Sequence, residues 1–81
     1  MTTDSIKEKV KAFILRFVRY EDLKDDEDYF ALGFVNSLFA IQLVAFVEKE
    51  FQIKVENTDL DIKNFNSIDA ITRLVERKIT V

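Results

Sequence analysis

The 81-residue chain contains no cysteine, histidine, proline or tryptophan, and it has a single glycine. Without cysteine it can form no disulfide, no thiolate metal site and no cysteine nucleophile. Without histidine it lacks the commonest general base and the commonest transition-metal ligand. One glycine cannot build a phosphate-cradling loop, which needs several. No apolar run approaches the roughly 20 residues that span a bilayer, and the N-terminus carries no signal-peptide h-region. What is present is 48% hydrophobic and 33% charged, with a formal net charge of -3. That balance argues for one small core and against disorder. The expectation is a single soluble, cytoplasmic domain over residues 1–81 that performs no chemistry alone.

Charge is unevenly spread. The first 20 residues hold five bases and two acids, and the remainder holds seven bases and thirteen acids. An acidic chain without aromatic–basic interleaving beyond its first segment is a poor partner for a phosphate backbone, so nucleic-acid binding is not expected.

Ile6, Val10, Phe13, Ile14, Phe17 and Val18 draw one apolar stripe at helical spacing and predict a helix over about residues 4–19. Ser5 and Glu8 can form a capping box at its start, with Asp4 as a competing cap. Residues 20–36 show no period, and loops longer than about 12–15 residues usually carry function. Six acids lie between Glu21 and Asp28, but no register supplies the alternating acids, central glycine and terminal glutamate of an EF-hand. No metal site is expected, and the acids read as a solvated run. Phe30, Leu32 and Phe34 could anchor this loop to the core.

Residues 37–51 predict a second helix, capped by Asn36 or Ser37 and almost wholly apolar from Leu38 to Val47. Taking Gln42 and Lys49 as the solvent direction assigns Ala40, Leu43, Val44, Val47 and Phe51 to the core. Leu38, Phe39, Gln42, Ala45 and Phe46 are left as a docking face. An extended piece at 53–55, a short helix around Thr58–Lys63 and a last helix capped by Ser67 complete the chain. In that last helix Ile68, Ile71, Leu74, Val75 and Ile79 face inward. The class is all-α: three main helices and one short one, with a long loop between the first two.

No catalytic set emerges. Ser37 has Val35, Asn36, Leu38 and Phe39 as sequence neighbours and no implied base. The carboxylates at 25–28 are consecutive on a loop and lack the fixed geometry that acid–base work needs. One constellation does stand out. Asp28-Tyr29-Phe30, Gly33 and Asn36-Ser37-Leu38 run into an apolar helix with Gln42-Leu43-Val44, Phe51 closes that helix, and Phe65-Asn66-Ser67-Ile68 opens the last. Asn-Ser-Leu alone is a common helix start, where serine is a plain cap worth about 1 kcal/mol.

Set in this order of elements, the chain resembles the acyl and peptidyl carrier proteins over essentially its whole length. The resemblance implies a four-helix carrier bundle and a 4′-phosphopantetheine arm on Ser37, placed there by a phosphopantetheinyl transferase. Phe34 and Val35 would frame the arm's entrance and belong with the docking face. The family's commonest signature is Gly-x-Asp-Ser-Leu; here Gly33 precedes Ser37 by four residues and Asn36 replaces the aspartate. Phe39 and Gln42 stand where carriers of fatty-acid synthesis are typically acidic, so apolar docking replaces electrostatic steering.

The pattern is similar to stand-alone carriers of polyketide and nonribosomal-peptide (antibiotic) pathways that hold hydroxymalonyl, methoxymalonyl or aminomalonyl thioesters, and the length fits a free-standing carrier. The partners so implied are an acyl- or aminoacyl-loading enzyme, tailoring dehydrogenases, and an acyltransferase or ketosynthase, with the carrier itself monomeric. D-alanyl carriers, which share the longer Gly-to-Ser spacing, and peptidyl carriers are the alternatives within the family. Outside it, an unmodified helical interaction module or a calcium-responsive loop remains.

Overall fold

A computed structural model describes residues 2–18, 23–33 and 36–79. Three α-helices carry the fold: α1 (Thr3–Leu15), α2 (Ser37–Phe51) and α3 (Ile68–Ile79). Two 3-10 turns, Asn57–Asp59 and Ile62–Asn64, link the last two helices, and there is no strand among the described residues. The all-α class is as the periodicity predicts; the expected short helix is these two turns. Residues 53–55 form no ladder. Their backbone turns instead onto Glu48, whose carbonyl accepts from the Ile53 N–H and whose carboxylate accepts from the Val55 N–H at 2.9 Å.

α1 begins one residue before its expected start. Thr2 is the N-cap, its hydroxyl accepting from the Ser5 N–H at 3.1 Å, so neither Asp4 nor a Ser5–Glu8 box holds the end. The helix also stops at Leu15 rather than 19, with Arg16 as C-cap. The N–H groups of Phe17 and Val18 both turn back to the Ile14 carbonyl, which carries Val18 into the core and leaves Phe17 46% exposed. α3 is capped as expected, the Ser67 hydroxyl accepting from the Ala70 N–H at 3.0 Å. Its buried face also includes Ala70 and Thr72, the latter returning its hydroxyl proton to the Ile68 carbonyl, whereas Ile79 is exposed.

The core is a continuous cluster: Ile6, Val10, Ile14 and Val18 from the first segment, Leu43 and Val47 from α2, and Ile68, Ile71, Leu74 and Val75 from α3. α1 packs most extensively on α3. Lys7 reinforces that pairing by reaching Asp69 at 3.0 Å and Asp25 at 3.6 Å, and its ammonium is held above its ordinary pKa chiefly by the hydrogen bond to Asp69.

Leu23 and Tyr29 enter the same core from the loop, which the sequence reading did not anticipate. Of its proposed anchors, Phe30 is half-buried against the core, Leu32 is exposed, and Phe34 lies outside the described residues. Three of the loop acids, Asp25, Glu27 and Asp28, have structural partners. Asp28 accepts from the Ala31 N–H and from the Asn66 amide, and Glu27 accepts from the Lys24 N–H. Gly33 closes this turn with φ +80, a left-handed conformation that glycine adopts without strain.

Lys78 on α3 meets Asp59 at 2.5 Å and ties the first 3-10 turn down. That hydrogen bond, with a second from the Glu56 N–H, holds the Asp59 carboxyl below its ordinary 3.8. A carboxyl with a depressed folded pKa contributes stability that is full above the unfolded value and is lost as pH falls through the folded one. Asp59→Asn should therefore be less stable than wild type at neutral pH. In chemical melts the two proteins should converge once the pH lies well below 3.8.

Candidate functional site

Ser37 is the first residue of α2, and its side chain is exposed. The cap is Asn36, in extended backbone (φ -130, ψ -174), whose Oδ1 accepts from the Phe39 N–H at 3.2 Å. The first helical bond runs from the Ala40 N–H to the Asn36 carbonyl. The N–H groups of Ser37 and Leu38 are therefore left without a helical acceptor, as first-turn donors are. The two neighbours divide the work: Asn36 stabilises the helix end, while the Ser37 hydroxyl makes no hydrogen bond among the described residues. No acid lies in the first turn of α2.

Ser37 stands at the mouth of a groove of about 640 Å³ between α2 and the 3-10 turns. Ala40, Ile41 and Val44 form one wall, Leu60 and Ile62 the other, and Phe30 and Phe65 line it from the loop and the approach to α3. Ile41, Leu60 and Ile62 are 67%, 56% and 58% exposed, so the walls present apolar surface to solvent that a folded chain ordinarily covers. Among the described residues the lining's only charged side chain is Asp61, whose Oδ1 accepts from the Lys63 N–H and fixes the second turn.

The groove wall is held by Tyr29. Its ring is fully buried, its hydroxyl donates to the Phe65 carbonyl, and its N–H donates to the Asn66 carbonyl at 3.2 Å. Burial, then the nearby Asp28 charge, pushes the phenol far above its ordinary pKa, so it stays a donor. Phe30, the next residue, is thereby set against the groove.

The docking face read from the sequence is divided by the structure. Leu38, Gln42 and Ala45 are exposed along one ridge of α2. Phe39 is not on that surface. It is 5% exposed, boxed in by the rings of Phe13, Phe17 and Tyr29 at centroid separations of 6.1, 5.3 and 6.0 Å. Phe46 is half-buried, stacked on Phe13 at 4.2 Å. Ala40 and Val44, assigned to the core, are half-buried: both line the groove, and Val44 also packs against the core. Phe34 and Val35 lie outside the described residues. The sequence reading missed Ile41, Leu60 and Ile62; the visible signal for the last two was isolated large aliphatics within a polar stretch.

Among the described residues no group of three acidic side chains is placed to hold a metal ion, and no helix is long and apolar enough to cross a membrane. The residues do suit a phosphodiester-linked arm: an exposed hydroxyl at the N-terminus of a 15-residue helix, uncapped N–H groups beside it, no acid in that turn, and an apolar trough leading away.

A search of curated proteins finds no match. Comparison with protein-family models matches residues 8–75 to the PP-binding family, the phosphopantetheine attachment site. Members of this family carry the 4′-phosphopantetheine prosthetic group, work with a phosphopantetheinyl transferase and with loading or catalytic enzymes, and perform no catalysis themselves. The helical bundle and the match over most of its length lead to one conclusion: this chain belongs to the phosphopantetheine-attachment carrier proteins, which tether acyl groups and are not enzymes.

Proposed function

We propose that Ser37 is the attachment residue and that the chain carries acyl units for a secondary-metabolic pathway of the polyketide or nonribosomal-peptide kind. The observation that supports the first part is the division of labour between Asn36 and Ser37. Since Asn36 already caps the helix, the Ser37 hydroxyl has no structural task and faces outward. On loading, Ser37 Oγ forms the new P–O bond to coenzyme A, the pyrophosphate linkage breaks, and adenosine 3′,5′-bisphosphate leaves. The transferase supplies the base, as this chain has no histidine and no base beside Ser37 in sequence. The arm, once bound, supplies a thiol for thioester formation. The N–H groups of Ser37 and Leu38 and the positive end of α2 then face the phosphodiester charge.

The second part is supported by the surface partners would meet. The ridge of Leu38, Ile41, Gln42 and Ala45 bears no charge, so docking there is by apolar contact. That differs from the acidic helix through which fatty-acid carriers attract basic enzymes. A hydroxy-, methoxy- or aminomalonyl extender unit is the cargo this reading favours. A second reading, aminoacyl cargo as in D-alanyl or peptidyl carriers, is favoured by Asp61, the one charged residue in the described lining of the groove. An amine would be attracted there and a free carboxylate repelled.

The deciding experiment is intact-protein mass spectrometry after incubation with coenzyme A and a broad-specificity phosphopantetheinyl transferase. Wild type should gain one phosphopantetheine, and Ser37→Ala should gain none while keeping its helical circular dichroism. Addition to the variant would place the attachment elsewhere. No addition to wild type would make the chain an unmodified interaction module. Once loaded, challenge with an amino-acid-activating enzyme and with a malonyl-type acyltransferase separates the two cargo readings by mass.

A further inference from the structure

The ridge of α2 has a second flank, facing α1, whose chemistry is opposite to that of the groove beside Ser37. Here Phe13, Phe17 and Phe46 floor a hollow of about 390 Å³, with Arg16 and Lys49 on its rim. Phe17 is the most accessible of these rings. It contacts Phe13 at 5.0 Å yet remains 46% exposed, so a large aromatic face is open to solvent. The hollow continues into a smaller one of about 230 Å³ past Lys9 and Glu50, which pair with each other at 3.4 Å. Arg16 and Lys49 have no carboxylate partner among the described residues. This flank is therefore locally basic on a protein whose net charge is -3.

We propose that this α1–α2 hollow docks an acidic amphipathic segment of a partner protein. One aromatic or branched aliphatic side chain would seat against Phe17 and Phe46, with carboxylates meeting Arg16 and Lys49. The charge pattern selects that occupant. An apolar anchor alone would be held by the rings, but two cations without a carboxylate partner among the described residues, beside the exposed Phe17 ring, repel a basic segment and complement an acidic one. Seating also covers the exposed Phe17 face and brings the two cations near carboxylates at a partly desolvated rim. The hollow lies on the flank of α2 away from Asp61 and the Ser37 groove. A segment held there leaves the attachment serine open, so one partner can stay docked while others visit the arm.

The test uses the full chain, 15N-labelled, and two synthetic peptides about four helical turns long. One has leucines on one face and glutamates on the other; its counterpart has lysines in place of the glutamates. The glutamate peptide should shift the amide resonances of Phe17, Ala45 and Phe46 and leave those of Leu60 and Ile62 in place. The lysine peptide should bind roughly tenfold more weakly or worse. Arg16→Glu with Lys49→Glu should reverse that preference, and Lys49→Glu alone should weaken it, with both folds checked by circular dichroism. Ser37→Ala should bind as wild type does, which separates this surface from the attachment reading. Equal shifts with both peptides, shifts confined to the Ser37 groove, no shift at all, or concentration-dependent self-association through Phe17 would each overturn the proposal.

Discussion

Phe39→Ala should cost about 3–5 kcal/mol of stability, the usual range for deleting a buried aromatic side chain. A domain of this size holds a total of about 5–15 kcal/mol, so the variant should be partly unfolded at denaturant concentrations that leave wild type intact. The reason lies in what Phe39 touches. Its ring joins Phe13 and Phe17 from α1 to Tyr29 from the loop, so removing it opens a void where three separate segments converge. Leu38, one residue earlier, provides the contrast. At 62% exposure its replacement by alanine should change stability by no more than about 0.5 kcal/mol, while weakening any partner that uses the apolar ridge. Urea melts of both variants measure the difference directly. A Phe39→Ala protein that melts like wild type would put the ring on the surface after all.

Tyr29→Phe should remove about 1–3 kcal/mol, because the Phe65 carbonyl would keep its place in the core and lose its donor. Tyr29→Ala adds the cavity and should fall in the same range as Phe39→Ala. The phenol also gives the effect a pH signature. Its folded pKa is raised above the ordinary 10.0, so its contribution is full below that value. As pH climbs past 10.0 the unfolded chain releases the proton and the folded one does not, and the stabilisation declines. The gap between wild type and Tyr29→Phe should accordingly narrow in alkaline melts. A gap that widens with pH would mean that the hydroxyl ionises in the folded protein.

These two residues also mark where reading the sequence succeeds and where it stops. The bounds of α2 were legible because a favoured cap precedes an apolar run interrupted only by Gln42, and both features are local. Its rotation was not. In a helix apolar on nearly every side, two polar residues, Gln42 and Lys49, set the wheel, and the buried stripe of Phe39, Leu43, Val47 and Phe51 lies about 50° from the direction they imply. What turns the helix is the aromatic cluster delivered by α1 and by the loop, which no periodicity within α2 records. Tyr29 and Leu23 were illegible for a related reason: an anchor in an irregular segment repeats with no period and shows itself only through its distant partner. Ser37 was legible as a candidate because the motif and the order of elements are both linear in the chain. That Asn36 takes the capping role, leaving the serine hydroxyl outward, is a matter of backbone geometry at the helix end, which the linear motif does not record.

The pairing of the first helix with the last has a bearing on biosynthesis. The Thr3 hydroxyl donates to Glu76 across 73 intervening steps of sequence, and Lys7 reaches Asp69 in the same layer. A ribosome delivers α1 first and α3 last, so the core stripes of α1 and α2 lack their α3 partner until residues near 79 have cleared the exit tunnel. During that interval the nascent chain exposes the core faces of α1 and α2 in addition to the outward side chains of Leu38 and Ile41. Apolar surface left open in that interval is where a newly made chain is prone to aggregate, and it closes only when the first and last helices meet.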